Sequence, residues 1–145
     1  MRRKLSNAAI ALVRMRADGL CEYCHAQEQW QCALFTIDHV LPLAKGGSND
    51  PDNLALACPH CNRRKSESVT AYDAVLQQQV LLFNPRTNEW SQNFVWSHDG
   101  LTLIGITSTG RATVASLDFN RPRLIEIRAA DQEVQRHPPA DDPRQ

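Results

Sequence analysis

The chain has no excess of either charge: sixteen lysines and arginines face sixteen acidic residues, for a formal net charge of zero. That argues against a broadly basic, nucleic-acid-coating surface, because such domains carry a positive balance. A local basic strip stays open, since steering depends on distribution rather than on the sum. Arg2, Arg3, Lys4, Arg14, Arg16, Arg63, Arg64 and Lys65 all lie in the first half of the chain. Long apolar runs are also missing. None approaches the ~20 residues that cross a bilayer, so no membrane partner is expected. The basic start is followed by apolar residues that Asn7, Arg14 and Arg16 break up, which does not fit a secretory leader. A cytoplasmic protein is the expectation. No internal repeat is present.

What the chain does have is cysteine in a pattern. Four of its five cysteines form two CxxC pairs, Cys21 with Cys24 and Cys58 with Cys61. A tetrahedral thiolate site needs four sulfurs on one ion, and each CxxC supplies two from a tight turn. Two such pairs fit a reducing compartment and a structural zinc better than a disulfide framework. A redox motif needs only one pair, and neither pair has a βαβ context. The 33 residues between the pairs exceed the usual zinc-ribbon spacing, so a small subdomain must lie between the knuckles. Cys32 stands apart and reads as a free buried thiol. His25, next to the first knuckle, is not needed as a ligand, and His60 reads as a knuckle-tip residue.

Apolar residues at Leu5, Ala8, Ala9, Leu12 and Val13 form one helical stripe over residues 4–17, which Asp18-Gly19 ends. Residues 34–39 read as a strand. Residues 45–52 are a turn-rich loop, 54–57 a returning strand, and 62–65 a short helix. Tyr72 to Val80 offers a helix but no clear face, because three glutamines run together. Phe94 to Trp96, an Asp99-Gly100 turn and residues 101–107 predict a hairpin. Trp90, Phe94 and Trp96 read as its core. Helices are expected at 110–117, capped by Thr109, and from Asn120-Arg121-Pro122 to about residue 135. Three prolines mark 137–145 as a disordered tail.

Between the knuckles lie residues suited to phosphodiester hydrolysis, which needs a base for water and a cation for the developing charge. Asp38 and His39 are adjacent on a strand, so one can hold a metal while the other addresses water. The amide oxygen of Asn62 is a hard ligand suited to magnesium or manganese. Arg63, Arg64 and Lys65 form either a solvated helix face or a face that grips phosphate.

Asp38-His39-x-x-Pro42, Gly46-Gly47, Asp52-Asn53-Leu54 and Cys58-x-x-Cys61-Asn62-x-x-Lys65 together resemble the HNH endonuclease family, in the subgroup stapled by two CxxC knuckles. The resemblance implies an α+β fold: a ββα-metal (His-Me) finger on a four-cysteine zinc site, with a helix before it and a β-hairpin and helices after it. It implies that His39 is the general base, that Asp38 and Asn62 bind a catalytic Mg2+ or Mn2+, and that Asn53 orients His39. Where the family often has histidine, this chain has Asn62; asparagine also occurs there. Leu82 to Arg86, Trp90, Phe94, Trp96, Gly105 to Thr113 and Asn120 to Pro122 are similar to a tail found in small bacterial HNH proteins. A histidine often precedes Phe94 in that group, and here the residue is Asn93. The expected organisation is a nuclease domain over 1–80, an extension over 81–136 and the tail. The expected partner is DNA, double-stranded. A non-catalytic zinc module that binds nucleic acid or protein is the rival, but it has no need of Asp38, His39 and Asn62 together.

Overall fold

The computed structural model describes residues 4–145. Arg2 and Arg3 of the basic strip lie outside the described residues. The chain divides into two compact units, one of residues 4–69 with Asn84–Thr87 and one of Thr70–Phe83 with Asn88–Gln145. The boundary expected at residue 80 lies within the second of these units. Among the described residues the fold is mixed α+β, with three two-stranded antiparallel sheets.

In the first unit, α1 (Asn7–Ala17) starts where Ser6 accepts a hydrogen bond from the Ala9 amide at 3.1 Å, and it ends with Asp18 in the left-handed region. Serine at this position satisfies an amide that the helix itself leaves unpaired. Strand β1 (Thr36–His39) pairs with β2 (Leu54–Ala57), setting Asp38 opposite Ala55 and His39 opposite Leu54. All four β2 residues are buried, and α1 packs on that strand through Val13 and Ala17. Arg16 fixes the crossing by donating to the carbonyls of Pro51 and Leu54 at 2.9 and 2.8 Å. Helix α2 (Pro59–Lys65) begins inside the second CxxC, earlier than the sequence suggests, with Pro59 at its first turn and Cys58 as its cap. Proline is favoured there because its missing amide hydrogen would have no helical partner. The return at 84–87 is held by the ion pair of Arg86 with Glu22, whose other oxygen accepts from the Leu56 amide at 2.8 Å.

In the second unit, the stretch that offered a helix is a hairpin of β3 (Thr70–Asp73) and β4 (Gln78–Leu81). β5 (Phe94–Trp96) pairs with β6 (Leu103–Gly105), as the Asp-Gly turn predicts. α3 (Ser108–Ser116) is capped by Thr107 rather than Thr109, and α4 (Pro122–Glu133) follows. Phe94 and Trp96 are buried and stack with Trp90, at ring distances of 5.2 and 6.4 Å. The guanidinium of Arg128 lies 4.9 Å over the Trp96 ring. The tail is not a loose end. The Trp96 amide donates to the Pro143 carbonyl, the Gln145 amide donates back to Trp96, and the indole N–H donates to Asp142, all at 2.9–3.0 Å. A buried indole needs a polar partner, and the tail supplies it.

Asp73 carries no exposed surface and accepts both arms of the Arg111 guanidinium, at 3.0 and 2.9 Å, as well as the Val75 and Leu76 amides of the β3–β4 turn. The hydrogen bonds from Arg111 hold its carboxyl below the usual aspartate range. A carboxyl depressed by folding stabilises the native state above its unfolded pKa of ~3.9, and the stabilisation is lost as pH falls through the folded value. Asp73→Asn is therefore expected to lower the melting temperature at neutral pH, with the gap to the parent closing as pH falls below ~4. Thermal melts followed by circular dichroism across that range test this.

Candidate metal centre and catalytic cleft

The two knuckles meet in the first unit. The sulfurs of Cys21, Cys24, Cys58 and Cys61 all lie within 4.8 Å of one another, and all four residues are buried. Each CxxC turn is tightened by an amide directed at sulfur, Cys24 N–H to Cys21 at 3.5 Å and Cys61 N–H to Cys58 at 3.4 Å. Such bonds suit sulfurs that carry negative charge. Without a cation the arrangement is costly: burial pushes the Cys21 thiol up, while hydrogen bonds from Cys21, Cys24 and Cys61 hold Cys58 far down. A divalent ion resolves that conflict for all four, and the all-sulfur set fits zinc. Cys32 is exposed, so the expectation of a buried thiol was wrong; it takes no part in the cluster.

Beside the cluster is an open cleft of about 780 Å³ lined by Asp38, His39, Asn49, Asn62 and the Leu43–Ala44 and Gly47–Ser48 loop segments, with Glu67 at its side. Three residues drawn from β1 and α2 on chemical grounds, Asp38, His39 and Asn62, thus line one space. Asp38 is 5% exposed. Its Oδ2 accepts from the Tyr23 hydroxyl at 2.7 Å and pairs with the Lys65 ammonium at 3.1 Å. Burial pushes the Asp38 carboxyl up, against the opposing pull of Lys65 and Tyr23. With Oδ2 so engaged, Oδ1 is the oxygen open to a cation. The Asn62 side chain makes no hydrogen bond among the described residues, so its amide oxygen is free to ligate. This donor set of a carboxylate oxygen and an amide oxygen fits a hard divalent ion.

Lys65 departs from its expected place on a phosphate-gripping face. It is 1% exposed, and its ammonium bridges Asp38 Oδ2 and the His39 carbonyl, each at 3.1 Å. A buried ammonium without a counter-charge is unfavourable by several kcal/mol, so the lysine lies where a carboxylate meets it. Arg63 and Arg64, on the same helix, are exposed.

Asn53, expected to orient His39, makes its side-chain hydrogen bonds to the backbone of the loop. Its Oδ1 accepts from the Leu41 amide at 2.8 Å, and its Nδ2 donates to the carbonyls of Leu41 and Ser48 at 3.0 and 2.9 Å. It thus holds together both ends of the loop after β1. The double glycine follows from the same geometry. Gly46 has φ +92°, which favours glycine, and a Cβ on Gly47 would lie 1.7 Å from the Leu41 carbonyl oxygen. Asn49 does meet the His39 ring, its Oδ1 lying 2.8 Å from Nε2. Sequence reading missed it, because an asparagine in a Gly-Ser-Asn-Asp-Pro run reads as turn chemistry. Asn93, in place of the tail group's histidine, belongs to the second unit, where Thr107 donates to it at 2.6 Å and it donates to the Glu89 carbonyl.

Residues 21–68 match the family model described as HNH endonuclease. The chain is also similar to the Type IV methyl-directed restriction enzyme EcoKMcrA of Escherichia coli (strain K12), 28% identical over 69 residues. That stretch is 45% of this chain and 25% of the enzyme, so the chain spans about a quarter of its relative's length. No helix among the described residues is long and apolar enough to cross a membrane.

Two outcomes follow. Zinc binding contributes about 10–16 kcal/mol to the folding of small zinc fingers, as much as the whole net stability of a domain at ~5–15 kcal/mol. Cys58→Ser is therefore expected to lose the ion and unfold the finger rather than loosen it, as elemental analysis with near-ultraviolet circular dichroism would record. Lys65→Ala strands a buried carboxylate and is expected to destabilise the first unit by about 3–5 kcal/mol, whereas Arg63→Ala or Arg64→Ala changes stability by under ~0.5 kcal/mol. Urea titration separates these two classes.

Proposed function

We propose that the protein is an HNH endonuclease that hydrolyses DNA phosphodiester bonds, double-stranded DNA being its substrate, with a structural zinc on the four cysteines. The observation that carries this reading is the shared cleft: Asp38, His39 and Asn62 line one space next to a four-thiol cluster. A pure binding module has no use for that set. Four buried cysteines gathered as for one ion suit action in a reducing compartment such as the cytoplasm.

His39 takes a proton from the attacking water, as a histidine near neutrality is suited to do. Asp38 and Asn62 would hold Mg2+ or Mn2+, which when bound would supply positive charge against the extra negative charge on the phosphate oxygens and the leaving oxygen. Lys65 and Tyr23 keep the Asp38 carboxylate in one orientation, so the ligand is set before the ion arrives. Asn53 acts one step back by holding the loop closed. The exposed Arg63 and Arg64 are the phosphate contacts on α2. With no net charge to add to them, non-specific affinity is modest and sensitive to salt.

The test is cleavage of a labelled duplex by the parent and three variants. His39→Ala is expected to lower the rate about 10²–10⁴-fold while zinc content and melting temperature stay near parental, because it removes the base and no ligand. Asp38→Ala and Asn62→Ala are expected to weaken divalent-ion binding, with partial rescue by excess manganese. Parental rates in His39→Ala would remove it as the base. A parent that binds duplex yet never cuts it, whichever divalent ion is supplied, would favour the zinc module instead.

A further inference from the structure

We infer that Asn49 is the positioning residue for His39, fixing which imidazole nitrogen accepts the proton; this rests on the nuclease reading above. An amide oxygen can only accept a hydrogen bond. With Asn49 Oδ1 at 2.8 Å from His39 Nε2, a neutral imidazole must carry its hydrogen on Nε2. The opposite tautomer would set two lone pairs against each other at that distance. The basic lone pair is therefore on Nδ1.

The loop explains why an asparagine ten residues away serves here. Asn53 Nδ2 holds the Ser48 carbonyl at 2.9 Å, the Asp50 amide donates to the Ser48 hydroxyl at 3.2 Å, and the Asn53 amide donates to the Asp50 carbonyl at 2.8 Å. On the other side, the Gly47 amide donates to the Pro42 carbonyl at 3.0 Å. The backbone on both sides of Asn49 is thus tied down, and its half-buried side chain lines the cleft. Asn53 orients His39 after all, but through Asn49. In the reaction, a water O–H bond breaks and its proton goes to Nδ1. The water oxygen bonds to phosphorus, the scissile P–O bond breaks, and the leaving oxygen takes a proton from solvent. Nε2 keeps its hydrogen on Asn49 throughout, and Nδ1 then releases its proton to solvent. An imidazole without that partner divides between two tautomers and loses its fixed plane.

The experiment is long-range ¹⁵N–¹H correlation on histidine-labelled, zinc-loaded protein at alkaline pH, with His39 assigned by His39→Ala, alongside kinetics on duplex DNA. The parent is expected to show His39 with hydrogen on Nε2. Asn49→Ala is expected to mix the tautomers and lower kcat about 10–100-fold, the range known for partners of metal-bound imidazoles, with KM within about twofold. Asn49→Asp, which keeps an acceptor oxygen, is expected to restore the Nε2–H form and most of kcat. A parent that cuts DNA with hydrogen on Nδ1 overturns the inference alone and leaves the nuclease reading standing. So does Asn49→Ala with parental tautomer and kcat. A parent with hydrogen on Nε2 that cuts nothing overturns both, since no hydrolysis is left for Asn49 to assist.

Discussion

Everything in the first unit hangs on four sulfurs drawn to one point. The knuckle of Cys21 and Cys24 precedes β1, and the knuckle of Cys58 and Cys61 is continuous with β2 and α2. Bringing them within 4.8 Å of one another closes a loop of more than thirty residues into a hairpin and a helix. A core this small cannot offset that loss of chain entropy through apolar burial alone. A metal–thiolate clamp can, because its binding free energy is also folding free energy. Glu22 extends the clamp inward. Its amide donates to the Leu56 carbonyl at 2.8 Å, while its carboxylate takes the Leu56 amide and the Arg86 ion pair.

Around that clamp the candidate catalytic residues are held by polar contacts that rigidify one another. Lys65 ties α2 to β1 through Asp38 and the His39 carbonyl. Asn53 closes the loop, and the loop presents Asn49 to His39. Asp38 and His39 have little freedom left before any ligand arrives. That is the form of preorganisation that electrostatic catalysis needs, because the groups do not have to reorient as charge develops.

The parts of this legible in sequence were those fixed by local chemistry. The stop of the first helix at Asp18-Gly19, the Asp-Gly hairpin turn and the returning strand at Leu54–Ala57 each have a short-range physical cause. The two CxxC pairs identified the clamp because paired cysteines at that spacing have few other uses. What escaped were residues whose role depends on a distant partner. Lys65 reads as a surface cation, and only the burial of Asp38 on another element turns it inward. Asn49 reads as a turn residue until the loop folds over His39. Gln78 and Gln79 obscured β4 because both face solvent, so the strand shows no alternation. The tail carries three prolines, which remove amide donors, yet its carbonyls and the Gln145 amide still pair with Trp96.

The central claim is that this cleft directs water at a phosphodiester. The most direct measurement is incubation of zinc-loaded protein with supercoiled plasmid in ¹⁸O-enriched water, with magnesium, with manganese and with chelator, followed by mass analysis of the new ends. The account predicts nicked or linear product only when the divalent ion is present, with one solvent ¹⁸O in each new terminal phosphate. Plasmid that stays supercoiled under both ions, or new ends without solvent oxygen, would contradict it.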